Sequence, residues 1–232
     1  MTDRLKQLTE IVTDFFFPRQ CIGCGKVGDF ICDQCSKKLP RLLPPICQKC
    51  GKPESSGIYC QACWKKQDGI DAIRSVFIFN GMIRTAVHEL KYRNLRAIAA
   101  PLAGHMADYA NENIISGDIV VPVPLHIKRL RQRGYNQSEL LAIEFAGIVK
   151  LPISNCLSRT RDSQPQVRTS NANMRRENVK NAFSCANKEI IDRHVILIDD
   201  VCTSGATLEA CTVALKQAGV KNVVGFTLAR EI

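Results

Sequence analysis

Four apolar residues in a row, Val195-Ile196-Leu197-Ile198, run straight into Asp199 and Asp200 and then into Val201-Cys202-Thr203-Ser204-Gly205-Ala206-Thr207. A short, unbroken apolar run bounded by turn residues is the pattern of a strand buried on both faces. Beyond it Leu208, Cys211, Thr212 and Leu215 recur at helical spacing up to Gly219, which predicts a helix from about residue 208. The rest of 71–232 reads in the same way. It gives a loosely alternating strand at 72–79, helices at 82–92 and 95–111, a buried strand at 119–124, a helix at 137–150 and a closing strand at 223–228. Pro101 is placed to kink the second of these helices. Strands alternating with helices from residue 118 onward predict an α/β domain, a mostly parallel sheet with helices on both faces.

Upstream, Leu5, Leu8, Val12, Phe15 and Phe16 share one face of an amphipathic helix within residues 1–18, stopped by Pro18. Asp3, Lys6, Glu10 and Asp14 interrupt it too often for the apolar region of a signal peptide. It reads as a strut packed on the domain that follows more readily than as a membrane anchor. No membrane insertion and a cytoplasmic location are therefore expected.

Eight of the twelve cysteines form four C-x-x-C pairs, Cys21/Cys24, Cys32/Cys35, Cys47/Cys50 and Cys60/Cys63, within residues 19–68. So short a stretch has too little apolar surface to fold on its own core, and four pairs exceed what a redox motif needs. Two structural Zn²⁺ sites are the natural reading, with Gly25 and Gly51 following the first and third pairs as zinc knuckles often require. Spacing leaves open whether the pairs combine sequentially or interleave. No ligand position is spare, so neither site reads as catalytic.

The metal changes the charge balance. The formal net charge is +10, and residues 1–70 hold 11 Lys/Arg against 7 Asp/Glu. Eight thiolates and two Zn²⁺ would bring that module to about zero. Between 128 and 180 lie 11 Lys/Arg against Glu139, Glu144, Asp162 and Glu177, so the positive excess is concentrated in two loops. The first, Lys128, Arg129, Arg131 and Arg133, leads into Gly134-Tyr135-Asn136-Gln137-Ser138-Glu139, where Asn136 and Glu139 have the spacing of a capping box. The second, from Arg159 and Arg161 through Arg175 and Arg176, is long, polar and without periodicity. His88 to Arg93 supplies either cations for a ligand or only the solvated face of a helix.

A strand, a tight loop and a helix N-terminus bring free N–H groups and the helix dipole to one point, which suits a phosphate at Thr203 to Thr207. Asp199 and Asp200, expected at the carboxyl end of the strand, can accept hydrogen bonds from sugar hydroxyls or hold water on a divalent metal.

This run resembles the 5-phosphoribosyl-1-pyrophosphate (PRPP) signature of type I phosphoribosyltransferases: aliphatics, two acids, then T-S-G-x-T. Together with the double C-x-x-C module, Val121-Pro122-Val123-Pro124-Leu125, Arg133-Gly134-Tyr135-Asn136-Gln137 and the Gln166 to Arg176 stretch, it resembles the ComF family of competence-associated, phosphoribosyltransferase-like proteins over nearly all the chain. The resemblance implies a double zinc ribbon at 19–68, a type I phosphoribosyltransferase fold at 71–232, and a part in handling internalised single-stranded DNA alongside other competence proteins. It also implies that PRPP with Mg²⁺ is held by Asp199, Asp200, Thr203, Ser204, Gly205, Ala206, Thr207, Arg131, Arg133, Asn136 and Gln137. Asp199, Asp200, Arg133 and Arg161 would act on the reacting groups, and 159–180 would be the flexible catalytic loop.

Were the chain an enzyme, the reaction would be displacement of pyrophosphate from C1 of PRPP by a nitrogen nucleophile, assisted mainly by electrostatics. No acceptor is implied. The competing expectations are a non-catalytic PRPP- or phosphate-sensing module that grips nucleic acid, and a phosphoribosyltransferase of nucleotide salvage. Cys202 inside the signature reads as structural or incidental rather than as a nucleophile, because phosphoribosyl transfer needs no covalent enzyme intermediate.

Overall fold

A computed structural model describes residues 18–55, 57–65, 69–160 and 182–232. The expected N-terminal helix, Arg161 and the basic stretch up to residue 181 lie outside them. In chain order come two single-turn helices, α1 (Asp33–Ser36) and α2 (Gln61–Trp64), then β1 (Ala72–Ile78), α3 (Gly81–Tyr92), α4 (Ala99–Glu112), β2 (Ile119–Pro122) and α5 (Ile127–Arg133). They are followed by α6 (Gln137–Val149), the short strands β3 (Leu157–Arg159) and β4 (Phe183–Cys185), β5 (His194–Cys202), α7 (Ala206–Gln217) and β6 (Asn222–Arg230).

Four strands form one parallel sheet in the order β1-β6-β5-β2. The apolar run in β5 divides by parity, as strand geometry demands. Ile196 and Ile198 enter a core with Leu90, Leu102, Leu141, Phe145 and Phe226, while Val195 and Leu197 enter a second core with Leu208, Cys211 and Leu215. Helices therefore cover both faces of the sheet. Phe226 anchors the first core, stacked on Tyr109 with ring centroids 5.9 Å apart and edge-on to Phe145 at 5.5 Å. β3 and β4 pair antiparallel as a separate ribbon against the second core.

Several expectations need correction. β5 extends to Cys202, so Asp199 lies inside the ladder, opposite Thr227 of β6, rather than at the strand's end. A 3₁₀ turn at Arg96–Ile98 precedes α4, which starts only at Ala99. Pro101 thus falls in the first turn, where its missing N–H has no intrahelical acceptor to lose, and it does not kink the helix interior. Asn136 does cap α6, its Oδ1 accepting from the Ser138 N–H at 3.1 Å. Glu139 does not complete the box, because its carboxylate accepts instead from Asn155 Nδ2 at 2.7 Å.

The cysteines combine sequentially, into Cys21/Cys24/Cys32/Cys35 and Cys47/Cys50/Cys60/Cys63. Cys24 and Cys32 place their sulfurs 3.7 Å apart, as do Cys50 and Cys60. A tetrahedral site with Zn–S near 2.3 Å has sulfur–sulfur edges of about 3.8 Å, so both clusters fit zinc.

The ribbons close the outer edge of β1, which would otherwise offer unpaired backbone to other chains. Leu42 N–H donates to Val76 O at 2.9 Å, Ile78 N–H to Pro40 O at 2.8 Å and Ile73 N–H to Lys49 O at 2.7 Å. Gly51 is required at the seam: a Cβ there would lie 2.4 Å from Ile73 O. Cys21, Ile31, Cys35 and Leu39 belong to the same buried cluster as Phe77, Ile83 and Leu102. Zinc at the first ribbon therefore orders part of the core that the sheet needs. Calorimetry of the zinc-loaded chain should show one cooperative unfolding transition, and metal removal by a strong chelator should shift the whole of it downward. Two transitions, one of them insensitive to chelator, would show that the sheet folds independently of the ribbons.

Candidate functional site: an acidic pair between cations and an anion-binding loop

Adjacent residues of a strand point to opposite faces, so the two acids of β5 meet different partners. Asp199 Oδ1 accepts from Ser138 Oγ, in the first turn of α6, at 2.8 Å and from the Asp200 N–H at 2.9 Å. Asp200, nearly fully buried, accepts from the Val201 N–H at 2.7 Å through Oδ1. Its Oδ2 lies 2.6 Å from Lys91 Nζ at the end of α3. That oxygen has an ion pair but no hydrogen bond of regular geometry. Asp199 is partly reachable from the cleft yet closely surrounded by protein. Burial, and then the charge of Asp200, push its carboxyl up to about 7, although Ser138 and Lys91 pull the other way.

Above the acids a cleft of about 240 Å³ is walled by Lys91, Arg129, Arg133, Arg159 and Thr207. Arg129 and Arg133 are four apart on α5 and share its inner face, which explains why Arg131 does not join them: it stands exposed on the other side of the helix. The structure thus places Arg129, rather than Arg131, beside Arg133 in the cleft wall. Arg133 is held over the Tyr92 ring, 5.3 Å from its centroid, and donates to Gln137 Oε1. Asn136 is committed to structure, since besides capping α6 it donates from Nδ2 to Val123 O at 2.9 Å. Lys91 and Ser138 were the residues hardest to single out from sequence. Lys91 belongs to the segment whose pattern fitted a solvated face equally well, and Ser138 is one hydroxyl in a polar run.

Beside the acids, Thr203 to Thr207 carry β5 into α7 through Gly205, which is left-handed at φ 80°. Among the described residues the N–H groups of Thr203, Ser204, Gly205 and Thr207 meet no protein acceptor, while Ala206 N–H donates to Ser204 Oγ at 3.4 Å. A cluster of free N–H groups at the N-terminus of a twelve-residue helix favours an anion. Under the loop, the buried Arg230 guanidinium donates to Cys202 Sγ at 2.9 Å. Burial raises the Cys202 thiol, and with 2% exposure it is a structural group rather than a nucleophile.

In the ribbons, burial acts to raise the thiols of Cys21 and Cys47, but backbone N–H donors outweigh it. Those of Cys32, Cys24 and Gly23 bring Cys21 down to about 6, and those of Cys50, Cys60 and Lys49 do the same for Cys47. Each cluster thus holds one thiolate ready for a cation. The hydrogen bond that Cys35 donates to the Cys21 thiolate, together with burial, in turn pushes Cys35 up to about 12.

Asp199 gives a prediction with a definite sign. Its folded pKa lies above the usual carboxylate value, so its protonated form stabilises the fold at low pH and that stability is lost as pH rises through about 7. Asp199→Asn mimics the protonated form at every pH. The variant should unfold at higher urea than the wild type at pH 8.5, by on the order of 1 kcal/mol after discounting for water in the cleft. The difference should shrink towards pH 5.5, a range that spares the zinc thiolates from protonation. An equal or larger gap at pH 5.5 would contradict it.

Comparison with known proteins accords with this geometry. The double zinc ribbon domain model matches residues 12–64 and the phosphoribosyl transferase domain model matches residues 99–231. Competence protein F of Haemophilus influenzae is 30% identical over 230 residues, covering 93% of this chain and 98% of that one. Competence protein ComFC of Bacillus subtilis is 27% identical, covering 89% and 86%, and the DNA utilization protein YhgH of Escherichia coli K12 is 28% identical, covering 92% and 95%. With two cysteine clusters of zinc geometry joined to a parallel sheet that carries an acidic pair beside a loop of free N–H groups, the chain belongs to the competence protein F family of double-zinc-ribbon, phosphoribosyltransferase-like proteins.

Proposed function

We propose that the chain binds PRPP in the cleft over Asp199 and Asp200 and serves in the handling of internalised single-stranded DNA during natural competence. The observation that carries the first half is the opposition of an acidic pair to a loop of unpartnered N–H groups, with Lys91, Arg129 and Arg133 on the far wall. A sugar that bears a phosphate on one side and a pyrophosphate on the other has this distribution of needs. The loop at Thr203 to Thr207 takes the 5-phosphate, the carboxylates take ribose hydroxyls, and the cations of α3 and α5 take the pyrophosphate.

The donor set also fits Mg²⁺. Two carboxylates at the cleft floor are hard oxygen ligands, and Asp200 Oδ2 has a cation beside it but no hydrogen bond to give up. When bound, magnesium would neutralise pyrophosphate oxygens. Ser138 fixes the orientation of Asp199, and Lys91 exchanges its ion pair with Asp200 for the incoming phosphates. The second half of the reading is supported by the names of the relatives, two of them competence proteins and one a DNA utilization protein. The positive excess of the chain supports it as well, since a single strand is a polyanion.

Calorimetry with PRPP and magnesium should show binding by the wild type and its loss in the Asp199→Ala, Asp200→Ala double variant, while the circular dichroism spectrum stays native. Unaltered affinity in the double variant would rule out the cleft as the PRPP site. For nucleic acid, losing two phosphate contacts through Arg129→Ala and Arg133→Ala should flatten the plot of log K against log salt by roughly 1.4 units, at about 0.7 per contact on single strands. Arg131→Ala alone should leave PRPP affinity unchanged, as befits an exposed side chain outside the cleft.

A further inference from the structure

Next to the acidic cleft lies a larger cavity of about 620 Å³, walled by Lys91, Tyr92, Asn94, Arg129, Arg133 and Tyr135. Lys91, Tyr92, Arg129 and Arg133 line both, so the two form one continuous depression. Its two tyrosines are used differently. Tyr135 is buried, donates its hydroxyl to Leu90 O and lies under the Arg96 guanidinium, 4.5 Å from the ring centroid. It is a fixed wall.

Tyr92 is 66% exposed and stands on the side of α3 opposite Ile83, Ala86, Val87 and Leu90, so the core has no use for its ring. Among the described residues its hydroxyl makes no hydrogen bond. One turn earlier His88 sets its ring 4.9 Å away, and Arg133 stands over the Tyr92 face at 5.3 Å. The cavity therefore offers a largely exposed aromatic ring bordered by three cations, one of which, Arg133, a stacking group would have to share or displace.

Each ingredient excludes a class of ligand. Lys91, Arg129 and Arg133 repel cations, and an apolar ligand would have to strip water from all three charges. A bare phosphate would need the charges but not the ring. A group that is planar at one end and anionic at the other uses both, through stacking and charge-assisted hydrogen bonds. We infer that this cavity takes a nucleotide, with its base against Tyr92 and its phosphate on Arg129 and Arg133. The inference rests on the nucleic-acid half of the function proposed above and not on the PRPP half.

The zinc-loaded full chain should be titrated with fluorescein-labelled dT10 by anisotropy, with dTMP by calorimetry, and with PRPP. Tyr92→Ala should weaken dT10 about tenfold or more, as expected for one lost base stack, whereas Tyr92→Phe, which keeps the ring, should stay within about threefold of the wild type. PRPP affinity should change by less than about threefold in both variants. Sensitivity of dT10 alone to Tyr92→Ala assigns the cavity to a segment of single strand, and sensitivity of dTMP as well assigns it to free nucleotides too. Indifference of both ligands to Tyr92→Ala overturns the assignment. So does a parallel collapse of PRPP binding, which would show that the ring serves only to hold Arg133. A wild-type chain that binds dT10 through Tyr92 and ignores PRPP would refute the PRPP reading and leave this one standing.

Discussion

A strand buried on both faces must bring two adjacent negative charges out of an apolar interior, and most of the molecule around β5 answers that demand. Lys91 comes from one face to pair with Asp200, and Ser138 comes from α6 to hold Asp199. The compensation is incomplete, because Asp199 keeps a carboxyl that is easier to protonate than an exposed one. That residual electrostatic cost is what a site for cationic or hydroxyl-rich ligands is expected to retain, since full internal satisfaction would leave nothing to offer.

The local devices were the most legible part of the sequence. Unbroken aliphatics gave β5, and the acids followed by T-S-G-A-T gave the loop and helix start. The C-x-x-C pairs gave two clusters. What could not be read were distances across the chain. Whether cysteine pairs combine sequentially depends on the turns between them, and whether Lys91 meets Asp200 depends on where α3 ends relative to β5. Arg131 shows the limit within a single element. A run of four cations reads as one patch in sequence, but helical geometry turns Arg129 and Arg133 inward and leaves Arg131 outside. Glu139 shows the competition among local rules: the spacing of a capping box is present, but its carboxylate accepts from Asn155 instead.

The ribbons and the sheet share a buried cluster, yet they are joined along β1 by a different kind of contact. Leu42, Ile78 and Ile73 donate their backbone N–H groups across the seam, with Pro40 and Lys49 among the acceptors on the ribbon side. Main-chain hydrogen bonds are indifferent to which side chains stand above and below them. Gly51, pressed against Ile73 O, imposes a residue type on this edge, and Arg74 of β1 adds side-chain hydrogen bonds to Gln48. Such a joint is tolerant: the outer surfaces of the ribbons can be rebuilt, residue by residue, to suit a new partner without disturbing how the ribbon docks against β1. The joint thereby separates what the ribbons display from what they support.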